Sequence, residues 1–318
     1  MATSKRIVLL DKALCKGREN NMLLSLCIPT NGITEWVIPV LDSIYNQNVD
    51  NEFFEVIITD NGGNSEFEKA IKAYAKNVAN LLYKKTKSTA FLNQIECFEM
   101  ASGDFIKFVN HRMPLLQGTL EKLVQIAKTY RNIRPNIFFT NGSMPSEEIV
   151  SEFSNYDEYI SHIGYMASWS GGTAIWREEF QKKELSYYNE LFPHISFVLE
   201  KNRNNVYIVD NTRIFELLRT DETKKGKYKI YQAFAVELPM IFTRLFQNNL
   251  ISWMTYKRVM KQIEVFLANQ FRQLEIERKP CSYDLTGFNE YVSIFFNPNR
   301  IRIMAFARYL KHKLIRGN

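Results

Sequence analysis

The sequence predicts an α/β domain built on a mostly parallel sheet and extended at its C-terminal end by helices. Short apolar runs without strict alternation recur through the first two-thirds of the chain, as strands covered on both faces require. Each run closes in a polar turn and leads into a helical pattern, the rhythm of βαβ units. Beyond residue 215 strand signals give way to helical periodicity, so the chain divides into residues 1–215, an α/β core, and 216–318, a helical region with a basic amphipathic end.

The first strand is the run 23–28, closed by Pro29-Thr30-Asn31-Gly32, with Thr34 placed to cap the helix over 35–47. A second strand over 54–59 ends at Asp60-Asn61-Gly62-Gly63, and Ser65 begins a helix carrying Phe67, Ala70, Ile71 and Tyr74. A third short strand is predicted at 80–83, then a helix over 91–101 with Ile95 and Phe98 toward the sheet. The strand 105–109 runs straight into Asn110-His111-Arg112, followed by a helix over 119–130 and a strand over 136–140. Residues 145–165, rich in Glu147, Glu148, Glu152, Asp157 and Glu158, read as an irregular surface excursion. Structure resumes over 166–180 and again near 195–199, with a strand at 206–209; residues 219–229, RTDETKKGKYK, read as a charged loop ahead of helices over 234–277.

A chain of 318 residues with 46% hydrophobic content can bury a sizeable core. Thirteen glycines, nine prolines and no visible repeat exclude fibrous and disordered classes. The four cysteines are widely separated, and Cys27 and Cys97 sit in apolar runs as reduced core residues; the four histidines are equally scattered, which argues against structural zinc. Neither a secretory signal nor an apolar run of membrane-spanning length is visible, which places the chain in the cytosol with attachment to the inner face of a membrane left open. The net charge of +7 is uneven: from Asn299 onward Arg300, Arg302, Arg308, Lys311, Lys313 and Arg316 stand without an acidic residue, and Ile303, Ala307, Leu310 and Leu314 recur at helical spacing. Such a helix suits an anionic membrane surface, or it docks on its own domain with a solvated basic face. Nucleic acid is excluded as a partner because the basic residues form no continuous stripe with stacking or groove-reading elements.

Ligands of parallel sheets bind at the carboxyl ends of the strands, which singles out the turns at 29–32 and 60–63. Neither a G-x-x-x-x-G-K-[ST] loop nor a G-x-G-x-x-G fingerprint is present, so the chain is neither a P-loop enzyme nor a Rossmann dehydrogenase.

Five segments in order, LSLCIPT at 24–30, the helix end at 43–47, EVIITDNGG at 55–63, ASGDFIKFVN at 101–110 and LLQGTLEKL at 115–123, resemble family 2 glycosyltransferases of the GT-A fold, the group that builds bacterial surface polysaccharides. The resemblance implies transfer of a sugar from a nucleotide diphosphate sugar to a saccharide or lipid-linked acceptor, usually with inversion. It places Pro29, Thr30 and Asn31 in the nucleotide pocket, Asp60 with its neighbour Asn61 at the base or ribose, and Asn93, with Lys87 ahead of it, at a further nucleotide contact.

One departure from the family matters most. Asn110-His111-Arg112 stands where the family has aspartate, any residue, aspartate, the carboxylates that hold a divalent cation on the diphosphate. Arginine cannot ligate a metal. Either Arg112 replaces the cation through paired charge-assisted hydrogen bonds, with His111 or Asn110 adding a contact, and no metal is required; or the chain is an inactive homologue acting as a binding or regulatory partner; or His111 and Arg112 merely close the strand. For the general base of an inverting transfer the candidates are His194 and Glu190, Tyr187 being too weakly acidic. Trp169 is a candidate for stacking on a sugar face and Trp176 for the core.

Overall fold

The computed structural model describes residues 22–145, 148–183 and 189–316, except for the side chains of residues 315 and 316. Glu147, Tyr187 and the side chain of Arg316, named above, lie outside the described residues, as does Cys15, one of the four cysteines. The strands are β1 (Leu24–Thr30), β2 (Phe54–Asp60), β3 (Leu81–Lys85), β4 (Phe105–Phe108), β5 (Asn136–Phe139), β6 (Val150–Phe153), β7 (Ala174–Trp176) and β8 (Tyr207–Asp210). The helices of the first two-thirds are α1 (Thr34–Tyr45), α2 (Ser65–Ala75), α3 (Asn93–Glu99), α4 (Thr119–Tyr130), α5 (Tyr156–Ile163), α6 (Arg177–Gln181) and α7 (Ile195–Val198). Those beyond are α8 (Ile230–Gln232), α9 (Leu238–Gln247), α10 (Trp253–Phe271), α11 (Phe288–Val292) and α12 (Pro298–Arg316).

The main sheet has the order β3-β2-β1-β4-β7, and a smaller one the order β5-β8-β6. Pairs β1–β2, β1–β4, β2–β3 and β5–β8 are parallel, while β4–β7 and β6–β8 are antiparallel. The core is therefore mixed: parallel pairing, as expected, joins β3-β2-β1-β4, and antiparallel strands stand beside it at β7 and β6. Two of the antiparallel partners, β6 and β7, are short strands of four and three residues that carry no long apolar run.

Side-chain alternation explains how β1 serves two cores. Leu24, Leu26 and Ile28 join Val56, Ile58 and the α1 and α4 residues Val37, Leu41, Leu120 and Leu123 on one face. Cys27, with Ile57 and Ile106, turns to the opposite face and meets Ile95 and Phe98 of α3. A strand buried on both faces must be apolar at nearly every position, which is why it shows no alternation in sequence. Helix α1 begins at Thr34 after Ile33 and has no side-chain cap, whereas Asn64 caps α2 by accepting from the amides of Glu66 and Phe67.

The acidic stretch is the clearest correction to the sequence reading. It contains β6 and α5, whose Tyr156, Tyr159, Ile160 and Ile163 are buried. They pack with Tyr207, Tyr231, Phe242 and Ile263, so this core draws on both sides of residue 215. The acidic residues Asp157 and Glu158 occupy the first turn of α5, where the helix dipole favours them.

The two sheets are joined through Lys107. Its fully buried ammonium donates to the carbonyls of Phe108, Gly171 and Thr173 at 2.8, 2.6 and 3.1 Å and lies 5.1 Å from the ring centres of both Phe139 and Phe215. Burial pushes its pKa well below the usual lysine value. The same bonds fix the 171–173 segment that follows Trp169.

Candidate active site

In the sheet order β3-β2-β1-β4, the chain winds outward from β1 through β2 to β3 and then returns to the other side of β1. Such a reversal opens a crevice at the carboxyl ends of the two strands that flank it. A cavity of about 550 Å³ lies there, bordered by Pro29, Thr30 and Asn31 at the end of β1 and by Asn110, His111 and Arg112 after β4.

The floor is built by close backbone approach. Asn61 N–H donates to the Thr30 carbonyl at 3.1 Å, and its side chain donates to the Ser88 and Ala90 carbonyls. A Cβ on Gly62 would lie 1.9 Å from the Asn31 carbonyl oxygen, so only glycine lets the second turn close against the first.

Each residue of the Asn110-His111-Arg112 motif is held differently. The Asn110 side-chain oxygen accepts from the Arg112 amide at 3.3 Å. His111 Nδ1 is 2.8 Å from the Thr30 hydroxyl, and its ring meets Trp36 edge-on at 5.1 Å. Burial, reinforced by the neighbouring Arg112 charge, pushes the His111 pKa down to about 3, so the imidazole is neutral. Arg112, 25% exposed, stands 6.0 Å from the Trp36 ring and 3.8 Å from a Glu222 oxygen. Burial lowers its pKa and the Tyr283 and Tyr228 phenols offset this, yet a guanidinium so placed stays charged.

The expected residues fall into two groups. Pro29, Thr30, Asn31, Asn61, Asn93, Asn110, His111, Arg112, Trp169 and His194 come together on the cavity wall. Asp60, Lys87 and Glu190 do not. Asp60 is fully buried, and its carboxylate accepts from the Gly62 amide, the Tyr83 hydroxyl and the Lys85 ammonium at 2.7, 3.0 and 2.7 Å, so the protein itself occupies both oxygens. Lys87 is exposed outside the cavity. Glu190 borders a second cavity, of about 830 Å³, which shares with the first the walls Leu191 and Phe192. Asn93 reaches the wall with its amide already committed, donating to the Thr30 and Thr59 carbonyls and accepting from the Thr86 hydroxyl. Trp176 is buried in the core, as expected, its indole N–H donating to the Pro135 carbonyl at 2.9 Å.

His194 is 3% exposed, with Nε2 3.1 Å from the Ser168 carbonyl. A carbonyl can only accept, so Nε2 carries the proton and Nδ1 holds the lone pair. Nδ1 is buried and has no hydrogen-bond partner. Burial lowers the His194 pKa to about 4 against the weaker opposing effect of the backbone contacts.

Depressed histidine pKa values tie stability to pH. An unfolded histidine binds a proton near pH 6.5, whereas the folded His111 and His194 resist it until about 3 and about 4. Between those values the unfolded chain holds more protons, so stability is full above pH 6.5 and is lost as pH falls toward 4. Urea titrations at pH 7 and pH 4.5 are expected to differ by on the order of 5 kcal/mol, and replacing His194 by glutamine should remove about half of that difference.

Residues of the charged segment 219–229, expected to be a loop, complete the cavity. Lys225, Lys227, Tyr228 and, from farther along, Tyr283 line it. Glu222 contacts both Arg112 and Lys225, and Lys224 pairs with Glu35 of α1 at 2.8 Å. Tyr228 packs against Phe91 and Tyr283 at ring distances of 5.5 and 5.0 Å. Among the described residues the wall carries Arg112, Lys225 and Lys227 and neither aspartate nor glutamate. The arrangement can hold a polyanion by charge and by the guanidinium fork.

The donor set does not suit a divalent cation. Such an ion asks for several hard oxygens, preferably carboxylates. The motif after β4 offers one amide oxygen, already accepting from the Arg112 amide, beside a guanidinium that cannot ligate. Among the described residues no three histidine, cysteine, aspartate or glutamate side chains gather in a metal-binding cluster.

Comparison with known proteins agrees with this geometry. The family model "Glycosyl transferase family 2" matches residues 25–173, which span β1 to the segment fixed by Lys107. A Campylobacter jejuni protein, GalNAc(5)-diNAcBac-PP-undecaprenol beta-1,3-glucosyltransferase, is 24% identical over 231 residues, covering 66% of this chain and 71% of its own. Among solved structures, S. aureus TarS 1-349 in complex with UDP-GlcNAc superposes with a TM-score of 0.55 at 15% identity, over 93% of each chain. The mannosyltransferase PcManGT from Pyrobaculum calidifontis, in complex with GDP-Man and Mn2+, gives 0.50 at 13% identity over 91% of this chain and 87% of its own. A cavity at the β1/β4 reversal, a family 2 match confined to residues 25–173 and a fold shared over nine-tenths of the chain lead to one conclusion: the chain is a glycosyltransferase with a GT-A-like fold.

Proposed function

We propose that the chain transfers a sugar, with inversion, from a nucleoside diphosphate sugar to a saccharide or lipid-linked acceptor, and that Arg112, Lys225 and Lys227 supply the positive charge a divalent cation supplies elsewhere. The observation that carries this reading is a cavity wall with three cationic side chains and no carboxylate among the described residues. The nucleotide lies against Pro29 to Asn31 and Asn61, its diphosphate toward Arg112. The acceptor hydroxyl oxygen bonds to the anomeric carbon as the bond from that carbon to the diphosphate oxygen breaks. The electron pair leaves with the diphosphate, whose charge the guanidinium and ammonium groups stabilise. The hydroxyl proton passes to Nδ1 of His194, the one ring nitrogen whose lone pair is uncommitted.

With its protonation lowered to about pH 4, His194 stays in the base form throughout the neutral range. A lipid-linked acceptor is favoured by the C. jejuni relative, whose name specifies a PP-undecaprenol-linked glycan. Calorimetric titration with a panel of nucleotide sugars tests the reading. Micromolar to millimolar binding of at least one is expected, and no binding to any would overturn it.

A further inference from the structure

The second half of the chain exposes a surface that sugar transfer does not use. Helix α12 is held to the molecule by Ile301 and Ala305, both fully buried against the core that includes α10. Arg308 donates to Asn269 at 3.0 Å and Arg300 pairs with Glu264 at 3.2 Å, fixing the helix along α10 and its continuation. Its docked side is thus settled by contacts. The opposite side is also apolar: Ile303, Phe306, Leu310 and Leu314 are 70%, 54%, 46% and 73% exposed.

At 3.6 residues per turn these four positions fall within about 100° of arc, away from Ile301 and Ala305. Lys311 projects along one flank of that ridge beside Arg300, which is paired with Glu264, and Lys313 along the other beside Arg302, which donates to Asn289. No acidic residue occurs in the helix. A helix that only docked on its own domain would place its apolar residues inward and its charges outward. Here a second apolar stripe faces outward between two basic edges.

We infer that the outward face of α12 seats the protein on an anionic phospholipid bilayer, its apolar ridge entering the headgroup boundary and its basic flanks meeting lipid phosphates. Charge complementarity selects this occupant: a lipid surface satisfies a narrow apolar ridge and two cationic edges at once, and long basic side chains can reach phosphate while their stems stay apolar. The mode is peripheral, since among the described residues no helix is long and apolar enough to cross a membrane. The Arg302 guanidinium lies 4.9 Å from the Phe288 ring of α11, and Tyr283 of the cavity wall lies just ahead of that helix.

Sedimentation of the full chain with vesicles of phosphatidylcholine, alone or mixed with phosphatidylglycerol, tests this independently of any sugar chemistry. At low salt the anionic vesicles are expected to bind the protein at least roughly tenfold better than neutral ones, with the advantage lost at high salt. The triple change Ile303→Ser, Leu310→Ser and Leu314→Ser should weaken that binding by about tenfold or more. Lys311→Glu with Lys313→Glu should erase the preference for anionic lipid. All these side chains are exposed, so the melting temperature and nucleotide binding should hold. No binding to anionic vesicles, or equal binding by the triple variant, would overturn the inference. So would light scattering that shows a dimer which the triple variant converts to a monomer, because the ridge would then belong to a second copy of the chain.

Discussion

Replacing Arg112 by alanine is expected to weaken binding of a nucleoside diphosphate by about ten- to a hundredfold, the scale of a lost charged hydrogen-bonding partner. Turnover should fall by about a hundred- to a thousandfold, because the guanidinium acts most strongly on charge that develops as the diphosphate leaves. The fold should survive. The side chain is one-quarter exposed, its ion pair with Glu222 is long at 3.8 Å, and it stacks on Trp36 at 6.0 Å, so stability should change by no more than about 1 kcal/mol. Arg112→Lys should recover part of the affinity but not the forked geometry. Circular dichroism with calorimetry separates these effects, and an alanine variant that binds the diphosphate like the wild type would return Arg112 to a purely structural role.

His194→Gln should separate proton transfer from binding. The glutamine amide can still donate to the Ser168 carbonyl, as Nε2 does at 3.1 Å, but it offers no basic nitrogen. Turnover is expected to fall by about a hundred- to ten-thousandfold while nucleotide affinity stays within a factor of about two. Because burial holds the histidine near pH 4, the acid limb of the wild-type rate profile should lie below pH 5 rather than near 6.5. A glutamine variant with normal turnover would exclude His194 as the base.

Much of the α/β core is legible because its signals are local. The runs that become β1, β2 and β4 are apolar since both faces of each strand are covered, and helix α4 begins and ends at the residues its periodicity indicates. The rim of the cavity follows from strand ends alone. The missed parts depend on distant partners. Tyr156 and Tyr159 lie among acidic residues, and their burial comes from Tyr207 and from the carbonyls of Leu199 and Val198, which their hydroxyls reach at 2.6 and 3.0 Å. Lys225 and Lys227 reach the site because Glu222 meets Arg112 across more than a hundred residues of sequence, a contact with no periodicity to announce it. A glycine between two lysines, in a segment without an acidic residue after Glu222, was the available signal.

Asp60 shows the opposite case. Its position at the end of β2 matches the family pattern, but Tyr83 and Lys85 on the adjacent β3 both reach its Oδ2 and the Gly62 amide takes its Oδ1, which only the paired strands reveal. The same logic applies to Asn93, whose amide ties β1, β2 and the segment after β3 together before any ligand arrives.

In the proposed reaction cationic side chains, not a divalent ion, hold the diphosphate. Calorimetric titration of the wild-type chain with a nucleoside diphosphate, first in chelator and then with magnesium or manganese, tests it most directly. Affinity within about twofold across these conditions is the expected result, since the motif after β4 adds no carboxylate for a metal to bridge. Binding that appears only when the metal is added would contradict it.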